Sequence, residues 1–296
     1  MELQLNHLCK KYSTGNAVSD VSASFSAGVY GLLGANGAGK TTLMRMICGI
    51  LKPSSGSVRL NGKTIEELGE HYYAQLGYLP QDSCFYPDFT GKEFLWYMSA
   101  VKGLEKRNAK SRIKELLHMV NLTGAADKKI SSYSGGMKRR LGIAQAELNH
   151  PSILILDEPT AGLDPKERVR FRNLISDIAK EKIVILSTHI VSDVSYTADT
   201  ILLMKQGQLL LQEPMDSVTD LIQGKVWEVF ADSQKAEQYS REFSVVNLHH
   251  ENSFVRLRIV ADTAPSADAR TVQPGLEDLF LYYFGEEGKS SNEHID

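Results

Sequence analysis

The chain has 296 residues, 42% of them apolar and 23% charged, and carries a net charge of −3. That size admits one large domain or two smaller ones, and the near-neutral balance gives no electrostatic reason to expect nucleic acid. Its cysteines, Cys9, Cys48 and Cys84, show no CxxC spacing, which argues against a disulfide framework or a zinc site and fits a reducing compartment.

The start, MELQLNHLCKK, lacks the apolar stretch of a secretory signal. Nowhere does the chain approach the roughly 18 consecutive apolar residues of a membrane helix, so any membrane role is expected to run through a partner. Glu2–Leu8 and Asp20–Phe25 alternate polar and apolar residues, as an antiparallel edge sheet with one wet face does. Val29–Leu33 (VYGLL) is a continuous apolar run, the pattern of a strand covered on both faces, and Gly39–Cys48 follows as a helix. Ser57–Leu60 leads into Asn61-Gly62, a hairpin turn signal.

From about Asp82 to His150 strand signals disappear, and Gly91–Val101, Arg107–Val120 and Ser134–Leu148 have helical periods. This block is expected to be a helical subdomain inserted into the sheet. Ile153–Leu156 (ILIL) and Ile183–Leu186 (IVIL) are again buried strands, with helices expected at Pro165–Lys180 and His189–Tyr196. Strands alternating with helices imply an α/β fold.

The core is expected to end near Gln212, after a hairpin-like stretch at Lys205–Leu211, and the first domain to extend over 1–223. A change of texture follows. Lys225–Phe230, Phe243–Asn247 and Phe254–Val260 alternate like short strands, and Leu276–Phe284 resembles a closing helix, so 224–284 forms an accessory region. The polar stretch 285–296 is expected to lack order.

Two motifs carry chemistry. GANGAGKT, comprising Gly34, Ala35, Asn36, Gly37, Ala38, Gly39, Lys40 and Thr41 and followed by Thr42, matches the phosphate loop G-x-x-x-x-G-K-[ST] between a strand and a helix. The glycines let backbone N–H groups form a nest for phosphate oxygens, and the helix start favours the anion. Lys40 brings a compact charge to the β- and γ-phosphates of ATP, and the Thr41 hydroxyl can ligate Mg²⁺. ILILDEPTAGLD then delivers Asp157 at a strand's C-terminal end, where open α/β sheets bind ligands. Asp157 suits Mg²⁺, and Glu158 beside it can reach a water in line with the γ-phosphate.

With YSGGMKRR (Tyr133–Arg140), Gln81 in YLPQD and His189 in ILSTH, these motifs resemble the ATP-binding subunits of ABC transporters. The resemblance covers about Leu3 to Leu211, with the motifs in the family's order. It implies a P-loop NTPase core with a mixed sheet, an antiparallel β edge subdomain, an inserted helical subdomain over about 82–150 and a small α+β C-terminal extension.

By the same resemblance Ser134, Gly135 and Gly136 are the signature that clamps ATP held by a second copy. Gln81 reaches Mg²⁺, His189 contacts the γ-phosphate, Asp164 crosses the dimer interface and Tyr12 stacks on adenine. Tyr133 and Met137 stand where the family usually has Leu and Gln.

The aromatics Phe85, Tyr86, Phe89, Phe94, Trp96 and Tyr97 are either a permease-facing surface or the packing of the helical block. The basic run Lys138-Arg139-Arg140 is read as the solvated or dimer-facing side of the signature helix, with no direct nucleic-acid contact expected. The ending QPGLEDLFLYYF (Gln273–Phe284) resembles the exporter-like branch with a separately encoded permease.

The leading expectation is therefore an ATP-hydrolysing motor that acts with a second copy and a transmembrane permease, held peripherally at the cytoplasmic face of the membrane. The alternative is a soluble ABC ATPase acting on ribosomes or DNA. Such proteins usually carry two ATP-binding units or a long coiled coil, and neither appears here. A GTPase reading lacks the Asn-Lys-x-Asp motif.

Overall fold

The computed structural model describes residues 1–82, 84–251 and 254–285. Among them the chain divides into two compact units, Met1–Gln212 and a second that starts at Glu213.

The first unit opens with β1 (Leu3–Tyr12) and β2 (Gly15–Phe25), an antiparallel pair, and β3 (Gly28–Leu33) leads into α1 (Lys40–Ile47). Next come β4 (Ser55–Leu60), β5 (Lys63–Thr64), the short helices α2 (Ile65–Leu68) and α3 (Glu70–Ala74), and β6 (Leu76–Leu79). The helices α4 (Gly91–Val101), α5 (Lys106–Met119) and α6 (Gly135–Ala146) follow. After them stand β7 (Ile153–Asp157), α7 (Pro165–Ile178), β8 (Ile183–Thr188), α8 (Val191–Val194), β9 (Thr200–Lys205) and β10 (Gln208–Pro214).

Two sheets form. One has the order β2-β1-β4-β5, and the larger has the order β10-β9-β3-β8-β7-β6. Within the larger sheet β9, β3, β8, β7 and β6 pair in parallel. The strands at its centre are buried along their whole length, Ile153–Asp157 and Ile183–Thr188 without an exposed residue. That is the signature of a sheet covered on both faces.

Leu43, Met44, Met46 and Ile47 of α1 share one buried cluster with Leu3, Leu5, Leu8 and Val58 of the small sheet and with Ile153, Ile155, Ile183 and Ile185 of the large one. The helix that starts at the phosphate loop thus lies in the core between two sheets, which fixes the position of its first turn. Asn61 and Gly62 both have positive φ, 49° and 82°, as a two-residue hairpin turn demands.

Two expectations need correction. His189–Tyr196 is helical only at Val191–Val194, because Ile190 remains extended and its N–H donates to the Thr188 hydroxyl at 2.9 Å. The region before the helical block also holds a parallel edge strand, β6, that the sequence pattern did not reveal.

The second unit contains β11 (Val226–Ala231), α9 (Ser233–Glu242), β12 (Ser244–Glu251), β13 (Phe254–Val260), β14 (Arg270–Thr271) and α10 (Leu276–Phe284). Its sheet runs β12-β13-β11-β14, with Val229, Ala231, Val255, Leu257 and Ile259 packed around Ala236 of α9. Arg258 donates to both carboxylate oxygens of Asp278, at 2.8 and 2.7 Å, and so holds α10 to the sheet. The polar tail expected over 285–296 lies outside the described residues from 286 onward.

Candidate active site

The phosphate loop connects β3 to α1 through Gly37 and Gly39, at φ 81° and 101°. A side chain at Gly39 would collide with the Ala17 carbonyl oxygen, and one at Gly34 with the Met204 carbonyl oxygen. Gly34 is therefore demanded by close backbone approach, Gly37 by its dihedral, and Gly39 by both.

Lys40 begins α1 and is 6% exposed. Its Nζ donates to the Gly34 carbonyl at 2.7 Å and to the Ala35 carbonyl at 3.2 Å, and lies 3.7 Å from Glu158 Oε1. Burial lowers its pKa, and the carboxylates of Glu158 and Asp157 oppose that shift.

Asp157 closes β7 and is fully buried. Its Oδ1 accepts from Ser187 Oγ at 2.7 Å and from Thr41 Oγ1 at 3.3 Å. Its Oδ2 is buried without a hydrogen-bond partner, a costly arrangement unless something supplies one. A carboxylate with a spare oxygen beside a threonine hydroxyl is a hard-oxygen donor set, and it fits Mg²⁺. Among the described residues no group of three His, Cys, Asp or Glu could hold a metal. The remaining ligands of such an ion would be phosphate oxygens and water, as is usual for Mg²⁺.

Glu158 follows with φ 47°, a left-handed conformation costly for a non-glycine residue. Its N–H donates to Ser187 Oγ at 2.9 Å, and its Oε2 lies 3.0 Å from His189 Nδ1. One hydroxyl, that of Ser187, therefore fixes both acidic residues. Sequence reasoning passed over Ser187, although it stands two residues before His189.

Asn36, Gly37, Ala38, Gly39, Lys40, Thr41, Thr42, Gln81, Glu158 and Ala17 line one cavity of about 350 Å³. Gly34, Ala35, Asp157 and His189 do not line it but bond to residues that do: the Gly34 and Ala35 carbonyls to Lys40, Asp157 to Thr41, and His189 to Glu158. Tyr12 does not line it; that ring is 43% exposed, with Lys10 Nζ 5.6 Å from its centroid.

Ser134, Gly135, Gly136 and Asp164 are also not among its lining residues. Ser134 caps α6, its Oγ accepting from Met137 N–H at 3.2 Å, and Asp164 caps α7, accepting from Glu167 N–H at 2.8 Å.

The basic run has a partly inward role. Arg139 donates to the Pro80 carbonyl at 3.1 Å, tying α6 to the residue before Gln81, and Arg140 donates to the carbonyls of Val120 and Asn121 at 3.0 Å. The aromatics after Gln81 cluster together, with Tyr86 5.0 Å from Phe89 and 5.4 Å from Tyr97, and Phe85 5.1 Å from Phe94. Phe94 is buried, while Tyr86 and Tyr97 remain exposed.

The sequence pattern of the ABC transporter family matches residues 18–161. The chain is 41% identical over 208 residues to an uncharacterized ABC transporter ATP-binding protein, YxlF, of Bacillus subtilis, covering 70% of this chain and 69% of that one. It is 33% identical over 291 residues to the Nod factor export ATP-binding protein I of Burkholderia orbicola, covering 94% of this chain and 95% of that one. The solved structure of cbiO1 from Clostridium perfringens, described as part of the ABC transporter complex cbiONQ, is 30% identical with a TM-score of 0.66, over 73% of this chain and 89% of that one. A phosphate loop and an acidic strand end facing one cavity, on a fold and sequence shared at this level, place the chain in the ABC transporter family, among its ATP-binding, ATP-hydrolysing subunits.

Proposed function

We propose that this subunit drives a membrane exporter, working as a dimer that sandwiches two ATP molecules and moves a separately encoded transmembrane permease. The observation that carries the reading is the meeting of Lys40, Glu158 and His189 at the phosphate-loop cavity. On this reading the backbone N–H groups of Gly34–Thr41 receive the phosphates, and Lys40 exchanges its loop carbonyls for phosphate oxygens. Thr41, Asp157 and Gln81 would hold Mg²⁺, a role that the buried, unpartnered oxygen of Asp157 supports. Bound Mg²⁺ supplies charge neutralisation on the phosphates.

Glu158, no longer facing Lys40, accepts a proton from the attacking water, and His189 steadies the carboxylate and faces the γ-phosphate. Tyr12 contacts the base, and Ser134, Gly135, Gly136 and Asp164 of a second copy close the site.

Export is supported by the Nod factor relative, whose likeness extends across nearly the whole chain, the second unit included. Among the described residues no helix is long and apolar enough to cross a membrane. On this reading the cargo's path belongs to the permease, with this subunit peripheral at the cytoplasmic face and the exposed rings of Tyr86 and Tyr97 available to it.

The test is Glu158→Gln. ATP binding should persist while hydrolysis falls by roughly 10²–10⁴-fold, about 3–5 kcal/mol of barrier. Turnover at the parent rate would remove Glu158 from the role of base.

A further inference from the structure

A further cavity, of about 480 Å³, shares no lining residue with the nucleotide site and is lined by Ala74, Lys102, Gly103, Leu104, Asn108, Arg112, Leu148, Asn149 and His150. Four parts of the chain build it: the end of α3 with Ala74, the end of α4 with Lys102, the face of α5 with Arg112, and the loop from α6 to β7. Asn149 Nδ2 donates to the Lys102 carbonyl at 3.5 Å, which ties the loop to α4.

Arg112 is 5% exposed. Its Nη1 donates to Glu115 at 2.6 Å and its Nη2 to the Glu147 carbonyl at 2.6 Å, yet its Nε–H is buried without a partner. Asn149 Oδ1 is buried and unpartnered as well. Unsatisfied buried polar groups are costly, and two of them in residues lining one cavity ask for an occupant that both accepts and donates.

The charges say which kind. Glu147 Oε2 pairs with Lys182 at 2.6 Å and lies 3.5 Å from Arg112, its Oε1 is buried without a partner, and Glu115 is occupied by Arg112. Lys102 Nζ has only the Gln145 carbonyl, at 3.1 Å, with no carboxylate within ion-pair distance among the described residues. Two carboxylates thus face three cations, Arg112, Lys182 and Lys102, and the surplus positive charge sits on Lys102 at the cavity wall. His150, beside Arg112, is held towards its neutral form by burial first and by that guanidinium second, so it adds a polar edge and little charge.

We propose that this cavity binds a small oxyanion, a phosphate or carboxylate group on a molecule that also carries a hydroxyl. Lys102 and the Arg112 Nε–H donate to the oxyanion, and Asn149 Oδ1 accepts from the hydroxyl. Lys102 also lines the neighbouring cavity that contains Pro80, Asp82 and Cys84, around Gln81. An occupant that pairs with Lys102 therefore changes the charge presented to the Gln81 segment, which gives the site a route to the nucleotide.

The experiment observes the Arg112 Nε–H resonance by ¹⁵N–¹H correlation, assigned by its loss in Arg112→Lys. The full chain is kept saturated with a non-hydrolysable ATP analogue and Mg²⁺, so that the phosphate loop is filled. Inorganic phosphate, glycerol 3-phosphate and malate are titrated separately up to tens of millimolar. The expected result is a saturable shift, about tenfold weaker in Lys102→Met, the worth of one charge-assisted hydrogen bond. Glycerol 3-phosphate binding tighter than malate assigns a phosphate, and the reverse order assigns a carboxylate. No saturable shift with any of the three probes, or an identical titration in Lys102→Met, overturns the proposal.

Discussion

Lys40 and Lys102 are both largely removed from water, and they differ in what faces them. Burial lowers the pKa of each, but Lys40 looks at Glu158 and Asp157, while Lys102 has a carbonyl at hydrogen-bond distance and Glu147 only as a more distant charge. Lys102 is accordingly pushed down to about 8.

The sign of the consequence follows from which state holds the proton. Below about 8 the amine is charged folded and unfolded, and the full cost of burying the charge is carried. Between about 8 and about 10.4 the unfolded chain still binds a proton that the folded chain has released, so stability gained at this site rises with pH. Lys102→Met, which cannot titrate, should unfold at higher denaturant than the parent chain at pH about 7. Its advantage should shrink by about 2–3 kcal/mol as pH climbs through that window. Urea midpoints at neutral and alkaline pH measure this, and a pH-independent difference would mean that the Lys102 amine is well solvated.

At the scale of the element, the phosphate loop shows why a motif can be read from sequence. Its glycines answer two separate demands. Gly39 has a positive φ and the Ala17 carbonyl against it, whereas Gly37 has a positive φ but open space around it. Gly39→Ala should therefore displace the loop and weaken nucleotide binding by more than about tenfold, because collision with the Ala17 carbonyl oxygen adds to the left-handed strain that both positions share. Gly37→Ala should stay within about tenfold of the parent. Equilibrium titration with a fluorescent ATP analogue distinguishes them, and equal losses would show that the dihedral alone decides.

The buried runs at Val29–Leu33, Ile153–Leu156 and Ile183–Leu186 were legible because a covered parallel strand leaves a continuous apolar stretch. The edge strand Leu76–Leu79 was not, since only two of its four residues are buried and its pairing partner, Ile153–Leu156, lies across the whole helical block. The helix Ser233–Glu242 also escaped notice, because its apolar stripe is short, Ala236 and Tyr239 with Phe243 at the cap, and only Ala236 of it is buried. The same division holds at the site. Lys40, Thr41 and Glu158 stand in compact motifs. The work of Ser187 and Arg139 rests on partners 30 and 59 positions away, and nothing local announces such pairings.

For the whole molecule, the question is where Ser134–Gly136 acts. The triplet opens α6 as a capped helix start and offers N–H groups suited to an anion. It is absent from the cavity that gathers Asn36–Thr42, Gln81 and Glu158. On the proposed reading one chain supplies one phosphate cradle and one further clamp outside that cavity, and two copies arranged head to tail would complete two sites. In the proposed dimer, closure would depend on contacts that exist only with the γ-phosphate in place, so ATP and ADP would differ in affinity for the closed state, and hydrolysis would shift the population toward open halves.

Chains with Glu158→Gln should dimerise with ATP, because binding outlives hydrolysis in that variant. Chains carrying both Ser134→Arg and Glu158→Gln should remain monomeric with ATP, since the arginine blocks the clamp at both sites. An equimolar mixture forms dimers with one intact site and should fall between the two in average mass by light scattering. If the doubly substituted chain dimerises with ATP as readily as Glu158→Gln alone, the clamp does not act across the dimer and the sandwich arrangement fails for this protein.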